Sequence, residues 1–178
     1  GLASLVASSV LFAGNYNVDA SHSNVGFSVK HMMITNVTGK FNDVSGNFEY
    51  DEKTNTLKAL SGDIIVASIN TADEKRDTHL KAEELFDAAK FPKINFNATK
   101  IEENAVYGDL TMKGITKNIK LELENGGTVT DPWGKQRAGF ELVGKINRKD
   151  FGITWNKVLE TGGVAVSEEI KLQIAMEG

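Results

Sequence analysis

Apolar residues occupy every second position in several stretches of the chain, and this pattern constrains the fold more than any other feature of the sequence. Val25, Phe27 and Val29 form one such series. Because successive side chains of a strand point to opposite faces of a sheet, the pattern is typical of strands with one buried face. The same alternation occurs within residues 94–99, 106–112, 119–123, 138–146 and 170–176, and two more strands are plausible at 41–50 and 57–67.

The connections between these segments are short and carry turn residues. Such residues occupy 51–55, 113–114, 125–127 and 131–134. Short connections join antiparallel neighbours, since parallel strands need a long crossover. The 17 glycines and 2 prolines also suit long strands joined by tight turns. The sequence therefore predicts an all-β chain with about eight strands, most of them antiparallel.

One segment departs from the alternation and predicts a helix. Thr71 and Glu74 have the spacing of a capping box, in which the hydroxyl accepts from a backbone N–H and the carboxylate reaches back. Pro92 ends the segment because the residue before a proline avoids helical geometry. A helical insertion at about 72–90 in an eight-stranded antiparallel sheet favours a closed β-barrel.

The first residues, 1–13, are uncharged and rich in apolar and small residues. A stretch of this length is shorter than the ~20 residues that span a membrane, and it resembles the apolar region of a secretory signal peptide. An amphipathic helix with Leu2, Leu5, Val6 and Val10 on one face is the alternative. We expect a signal-peptide remnant at 1–13, followed by one barrel domain at 14–178 that is exported to the periplasm.

Charge and cysteine content exclude several functional classes. The formal net charge is −4, so the basic excess of a nucleic-acid-binding protein is missing. The chain has no cysteine, which removes thiol catalysis, disulfides and Cys-ligated zinc. No later apolar run approaches membrane length, so no stable membrane insertion is expected.

Short blocks of sequence then carry a specific resemblance. In chain order they are Tyr-Asn-Val-Asp-Ala-Ser-His-Ser at 16–23, Val-Gly-Phe at 25–27, Val-Lys-His at 29–31, Gly-Lys-Phe at 39–41, Ala-Ser-Ile-Asn-Thr at 67–71, Arg-Asp-Thr-His-Leu at 76–80, Phe-Asp at 86–87, Phe-Pro-Lys-Ile-Asn-Phe at 91–96, Gly-Asp-Leu-Thr-Met-Lys-Gly-Ile-Thr at 108–116, Gly-Phe at 139–140 and Asn-Arg-Lys-Asp-Phe-Gly at 147–152. Together they resemble the YceI-like family of bacterial polyisoprenoid-binding proteins. Tyr16 stands where members of that family commonly have Trp.

The resemblance implies a lipocalin-like barrel in the periplasm that forms homodimers. It also implies that the barrel encloses a polyisoprenoid, an isoprenoid quinone or another long-chain amphiphile. An apolar lumen would bind such a chain by removing apolar surface from water, at ~25 cal/mol per Å². No cofactor is expected.

Apolar residues on the alternating faces are the candidates for the lumen wall, although each could equally belong to a filled core. The predicted lumen residues are Phe27, Val29, Phe41, Phe48, Phe96, Leu110, Phe140, Ile146, Phe151 and Trp155.

Polar residues near the helix and in the family blocks are candidates for a rim around the lumen. Either they form a buried ion pair that fixes the helix to the barrel, or they meet the head group of a ligand. The predicted polar rim consists of His22, His31, Arg76, Asp77, His79, Arg148 and Asp150.

Two other readings of the polar residues are weaker. Asp19, His22 and Ser23 have the residue types of a hydrolytic triad, but such close spacing on a strand or turn seldom lets the side chains converge. The three histidines are too far apart in sequence for a compact zinc motif. We therefore expect no catalytic residue and no metal ligand.

Three functional classes follow from this reading. The first is a lipid-binding carrier or storage protein, which the barrel pattern and the family blocks favour. The second is an enzyme that modifies a lipid or isoprenoid, although no Gly-x-Ser-x-Gly motif occurs. The third is an interaction domain whose barrel is filled by its own side chains.

Overall fold

The computed structural model of the chain describes residues 14–156 and 166–178. The predicted leader at 1–13 lies outside the described residues. Within them, eleven strands form one sheet. The strands are β1 Gly14–Asn17, β2 Asn24–His31, β3 Thr35–Phe41, β4 Val44–Asp51, β5 Thr56–Ile65, β6 Ile69–Asn70, β7 Lys93–Ile101, β8 Ala105–Met112, β9 Ile115–Thr130, β10 Gln136–Asn147 and β11 Val166–Glu177, with one helix, α1, at Glu74–Leu80.

The number of strands differs from the predicted eight because three long strands are interrupted by corners. At one corner β3 continues as β4 and β5 continues as β6, so that the β3–β6 pairing and the β4–β5 pairing belong to the same two bent strands. The amide of Asn42 donates to the Ser68 carbonyl at 3.2 Å, and the amide of Ile65 donates to the Asp43 carbonyl at 3.0 Å. The amide of Val18 continues the β1–β4 pairing by donating to Gly46. Counting β1 with β2, β3 with β4 and β5 with β6 gives eight strands, three of which are bent.

All of the strand pairings are antiparallel, and the last strand returns to the first. Along most of the chain each of the eight strands pairs with the next one, and β11 pairs with β2 in a register that sets Ile174 opposite Val25. This is the up-and-down order of a closed barrel, in which few strand edges remain exposed. The predicted all-β, lipocalin-like barrel is confirmed.

The helical insertion is shorter than predicted. Helix α1 ends at Leu80, and residues 81–91 form successive turns up to Pro92. The N-cap is Asp73, whose carboxylate accepts from the amide of Arg76 at 3.0 Å. The predicted capping box is therefore wrong. The Thr71 hydroxyl instead forms hydrogen bonds with the side chains of Arg76 and Asp77, described below.

The barrel interior has two halves that differ in packing. The half nearer the β9–β10 turn is filled by side chains that are almost fully excluded from solvent, such as Phe48, Tyr50, Val106 and Phe140. The ring of Phe140 meets the ring of Phe48 edge-on, with centroids 5.0 Å apart. The half nearer α1 has a second apolar cluster, which surrounds an open cavity.

Candidate functional site

The candidate site is a cavity of about 320 Å³ in the half of the barrel covered by α1. Its volume falls within the ~300–1,000 Å³ that is typical of ligand pockets. Its walls are mainly aliphatic and aromatic side chains, so apolar surface on a ligand would be buried against apolar surface. The apolar wall includes Val25, Phe27, Val29, Val37, Phe41, Ile94, Phe96, Leu110, Met112, Ile119, Ile146, Trp155, Ile170, Leu172, Ile174 and Met176.

Leu60, Leu121 and Leu142 form the floor of the cavity, where the open half meets the packed half. At the opposite end, Leu80, Leu85 and Phe86 from the helical insertion contribute to the cavity wall. The insertion is anchored there because Phe86 packs edge-on against Phe41, with ring centroids 6.2 Å apart. The cavity is therefore a mainly apolar pocket that runs from α1 towards the packed core.

The structure places seven of the predicted lumen residues on the cavity wall and three elsewhere. Phe27, Val29, Phe41, Phe96, Leu110, Ile146 and Trp155 line the cavity. Phe48 and Phe140 lie below the floor, and Phe151 is packed in the cluster around the cavity without lining it. Their placement on the lumen wall is corrected. Alternation identifies the inward face of a strand, but it does not distinguish a hollow layer of a barrel from a filled one.

Two glycines shape the wall by accepting an aromatic ring against the backbone. The ring of Phe27 covers Gly39 on the paired strand, so that a Cβ added to Gly39 would lie 2.4 Å from the ring. The ring of Phe96 covers Gly108 in the same way, at 2.3 Å. Since such distances are far below van der Waals contact, a side chain at either glycine would displace the ring. The glycines therefore keep both rings against the wall and leave the centre open.

A polar cluster centred on Thr71 lies at the α1 end of the cavity. The Thr71 hydroxyl donates to the Asp77 carboxylate at 2.6 Å and accepts from Arg76 Nε at 2.8 Å. Arg76 Nη2 also donates to the Thr71 carbonyl at 2.7 Å. Thr71 and Arg76 line the cavity, and Asp77 supports them from behind. This cluster fixes α1 to the strand that precedes it and places a guanidinium at the end of an apolar pocket.

Arg148 is a buried cationic group at this end, whereas Arg76 is half-buried. Its Nη1 donates to the carbonyls of Ile153 and Trp155, both at 2.8 Å, and its Nε donates to the Ser167 carbonyl at 2.9 Å. Burial lowers the pKa of Arg148 from its ordinary value. The predicted ion pair between this region and the helix is not among the ion pairs of the described residues. Arg148 instead ties β11 to the segment after β10.

The remaining members of the predicted rim divide between the cavity and the outer surface. His31 and His79 line the cavity, and His79 Nε2 lies 2.6 Å from a Glu84 carboxylate oxygen while its ring meets Trp155 edge-on. His22 and Asp150 are exposed and do not line the cavity. Their assignment to the rim is corrected.

Ser23 is not part of a triad, because its hydroxyl donates to the Glu177 carbonyl at 3.3 Å. The neighbouring Ser21 lies beside Asp19 and His22 instead, but these three side chains lack the geometry of a hydrolytic triad. His22 Nδ1 lies 3.1 Å from the Ser21 hydroxyl and 2.8 Å from Asp19 Oδ2, so the same ring nitrogen meets both partners. A triad needs the serine and the carboxylate on opposite ring nitrogens. Bonds from Ser21, Arg137 and His22 hold the pKa of Asp19 well below its usual range. The cluster joins the β1–β2 corner to Arg137 on β10.

Two further properties bear on the kind of site. Within 14–156 and 166–178, no group of three or more His, Cys, Asp or Glu side chains is placed to hold a metal ion. Among the same residues, none of the helices has the length and hydropathy needed to cross a membrane.

Several cavity residues were not among the sequence candidates. Ile170, Leu172, Ile174 and Met176 line the cavity from β11, and their alternation was visible in the sequence. Thr71 could not be identified in this way, because its role depends on the fold that brings Arg76 and Asp77 back towards it.

Residues 16–178 match the family model of the YceI-like domain. A UPF0312 protein of Staphylococcus aureus is 40% identical over 165 residues, which are 92% of this chain and 96% of that protein. The crystal structure of the Campylobacter jejuni YCEI protein is similar at 36% identity and a TM-score of 0.72, over 92% of this chain and 96% of that one. A polyisoprenoid binding domain from Saccharophagus degradans has the same fold at 15% identity and a TM-score of 0.66, over 93% and 97% of the two chains.

The fold and the cavity define a class of antiparallel β-barrels with an apolar internal pocket. Because the family model matches most of the sequence, the chain is a member of the YceI-like family.

Proposed function

We propose that this protein binds one long-chain isoprenoid, or a similar amphiphile, inside the barrel. The observation that carries the proposal is the cavity, which combines mainly apolar walls with the cationic groups Arg76 and Arg148 at its α1 end. A chain inserted towards Leu60, Leu121 and Leu142 would exchange water for aliphatic and aromatic contacts along its length. The gain is roughly 25 cal/mol for each Å² of apolar surface removed from water. Binding of this kind selects chain length and thickness more than functional groups.

The polar end of the cavity suits the head group of such a ligand. Arg76 is the best-placed donor there, because it lines the cavity and its bonds to Thr71 hold the guanidinium through Nε and Nη2 without using Nη1. Arg148 contributes positive potential, although its bonds to backbone carbonyls leave it less able to turn towards a ligand. An isoprenoid with a neutral polar or anionic head, including an isoprenoid quinone, fits this arrangement.

The biological role that we propose is that of a carrier or storage protein for this lipid in the periplasm, acting as a homodimer. The uncharged apolar sequence at 1–13 supports export. The name of the Saccharophagus degradans domain, which describes polyisoprenoid binding by that protein, supports the ligand class.

An enzyme that modifies such lipids is the competing hypothesis, and the site geometry does not favour it. The cluster of Asp19, Ser21 and His22 is absent from the cavity wall, and its bonds do not activate the serine. Incubation with isoprenoid esters, followed by product analysis, tests the hypothesis. Formation of a product with catalytic turnover would overturn the binding proposal.

Trp155 offers a direct test of binding because it lies on the cavity wall, whereas Trp133, the other tryptophan, is exposed. In a Trp133→Phe background, an isoprenoid benzoquinone should quench the Trp155 fluorescence in a saturable manner. The same benzoquinone without its tail should not, since the tail supplies the apolar contact. The matched variant Val29→Phe, which adds bulk to the wall, should weaken quenching. Equal quenching by both quinones, or no saturable quenching, would refute the proposal.

A further inference from the structure

The turn between β2 and β3 exposes three large apolar side chains in succession. Met32, Met33 and Ile34 are 44%, 60% and 81% exposed, respectively. The turn is short, because His31 and Thr35 are still paired and the amide of Ile34 donates to the His31 carbonyl at 3.2 Å. Exposed apolar residues in isolation are common, but a contiguous group at a projecting turn indicates a contact surface.

The backbone of this turn is also unfavourable for the residues that occupy it. Met32 and Met33 have φ values of 49° and 62°, in the left-handed region that favours Gly and Asn. Neither methionine side chain is buried in return. The side chains therefore serve something other than the stability of the turn.

The turn lies at the same end of the barrel as the polar end of the cavity. Val29, Lys30 and His31, which precede the turn, all line the cavity, and Val37 lines it from the following strand. Trp133 belongs to the β9–β10 turn at the opposite end, beyond the packed half. A bilayer or protein surface that contacts the apolar turn would therefore lie next to the end of the barrel where the head group of a ligand would lie.

The charge around the turn differs from that of the whole chain. No Asp or Glu occurs from Asn24 to Asn42, and the exposed Lys30 lies close to the turn, although the formal net charge of the chain is −4. A lysine beside exposed apolar side chains, with no carboxylate in the hairpin, fits the interface of a bilayer that contains anionic lipids. A stable protein interface needs more than ~1,000 Å² of buried surface, and a three-residue turn supplies little of it.

We infer that the β2–β3 turn inserts Met32, Met33 and Ile34 into the interface of an anionic bilayer. This inference rests on the proposed function, because docking there lets an isoprenoid pass between bilayer and cavity without crossing water. The docking is peripheral and reversible, since three side chains bury little apolar area.

The test compares the protein with a variant that carries Met32→Asn, Met33→Gly and Ile34→Ser. Asn and Gly suit the left-handed positions, so the variant keeps the turn. The matched control is Trp133→Ser, which removes an exposed apolar residue at the opposite end. Flotation with vesicles of phosphatidylglycerol and phosphatidylethanolamine in equal parts should fall about tenfold or more for the turn variant. Trp133→Ser should float like the unaltered protein.

Flotation alone decides the docking inference. If the unaltered protein fails to float, if the turn variant floats equally well, or if Trp133→Ser abolishes flotation, the inference is wrong. It is equally wrong if the turn variant changes the oligomeric state without changing flotation.

Loading of an isoprenoid benzoquinone from ethanol separates this question from the proposed function. Both proteins should load equally from ethanol, and the turn variant should load more slowly from vesicles. Failure of both proteins to load from ethanol would refute the proposed function and leave the flotation result to decide docking.

Discussion

Truncation of Phe140 and of Phe27 to alanine should have very different effects on stability, although both residues stand in alternating strands. Phe140 is 3% exposed and packs edge-on against Phe48 below the cavity floor. Phe140→Ala leaves a void in a filled core, and such a change costs about 3–5 kcal/mol of unfolding free energy. Phe27 already borders an open cavity. Phe27→Ala enlarges that cavity and should cost about 1–2 kcal/mol.

The measurement is urea-induced and thermal unfolding of both variants after removal of bound lipid. In a chain of this size, 1 kcal/mol shifts Tm by about 2–4 °C. Phe140→Ala should therefore lower Tm by about 6–20 °C, and Phe27→Ala by about 2–8 °C. Similar losses in the two variants, or a larger loss for Phe27→Ala, would contradict the division of the barrel into a filled and a hollow half.

Three further predictions concern the cavity wall and the ties between strands. Arg148→Met should lower the unfolding free energy by about 3 kcal/mol in urea titrations, since several buried carbonyls lose their donor. Arg148→Lys should recover part of this loss. An unchanged urea midpoint for Arg148→Met would contradict the role of the guanidinium. Gly39→Ala should clearly weaken isoprenoid binding in the Trp155 quenching assay and have only a small effect on Tm, because the new methyl group pushes the Phe27 ring into the cavity. Unchanged binding would contradict the packing of that ring. The pKa of Asp19 is lowered by bonds from Ser21, Arg137 and His22, so its carboxylate stabilises the fold fully above about pH 4 and progressively less as the pH falls. Asp19→Asn should therefore be less stable than the unaltered protein at neutral pH, with a difference that shrinks in acid, and a difference independent of pH would refute this.

The sequence was sufficient to predict the barrel because most of its strands are half buried and alternate regularly. The polar strand β3, Thr35–Phe41, was predicted only at its end, since Val37 and Phe41 are its sole large apolar residues. The corners were also missed, and they account for the difference in strand number. A bend changes hydrogen-bond geometry without interrupting the alternation that the prediction used.

The candidate site could be predicted only in part, because its shape depends on contacts between distant segments. Phe27 and Phe140 have the same local pattern, yet the layer beneath Phe140 is filled and the layer beside Phe27 is open. The cluster of Thr71, Arg76 and Asp77 depends on the path of the chain through the helix cap. A sequence pattern shows which residues face inwards, but it does not show how much space they leave.

The most direct test of the account is mass spectrometry of lipids extracted from the protein after purification from a bacterium that makes isoprenoid lipids. The matched control is the double variant Val29→Phe and Ile174→Phe, which fills the cavity from two adjacent strands. We predict one long-chain isoprenoid or similar amphiphile bound per barrel in the unaltered protein, and a strong reduction in the double variant. Extracts without such a lipid, or equal amounts from a folded double variant, would contradict the claim that the cavity is the binding site.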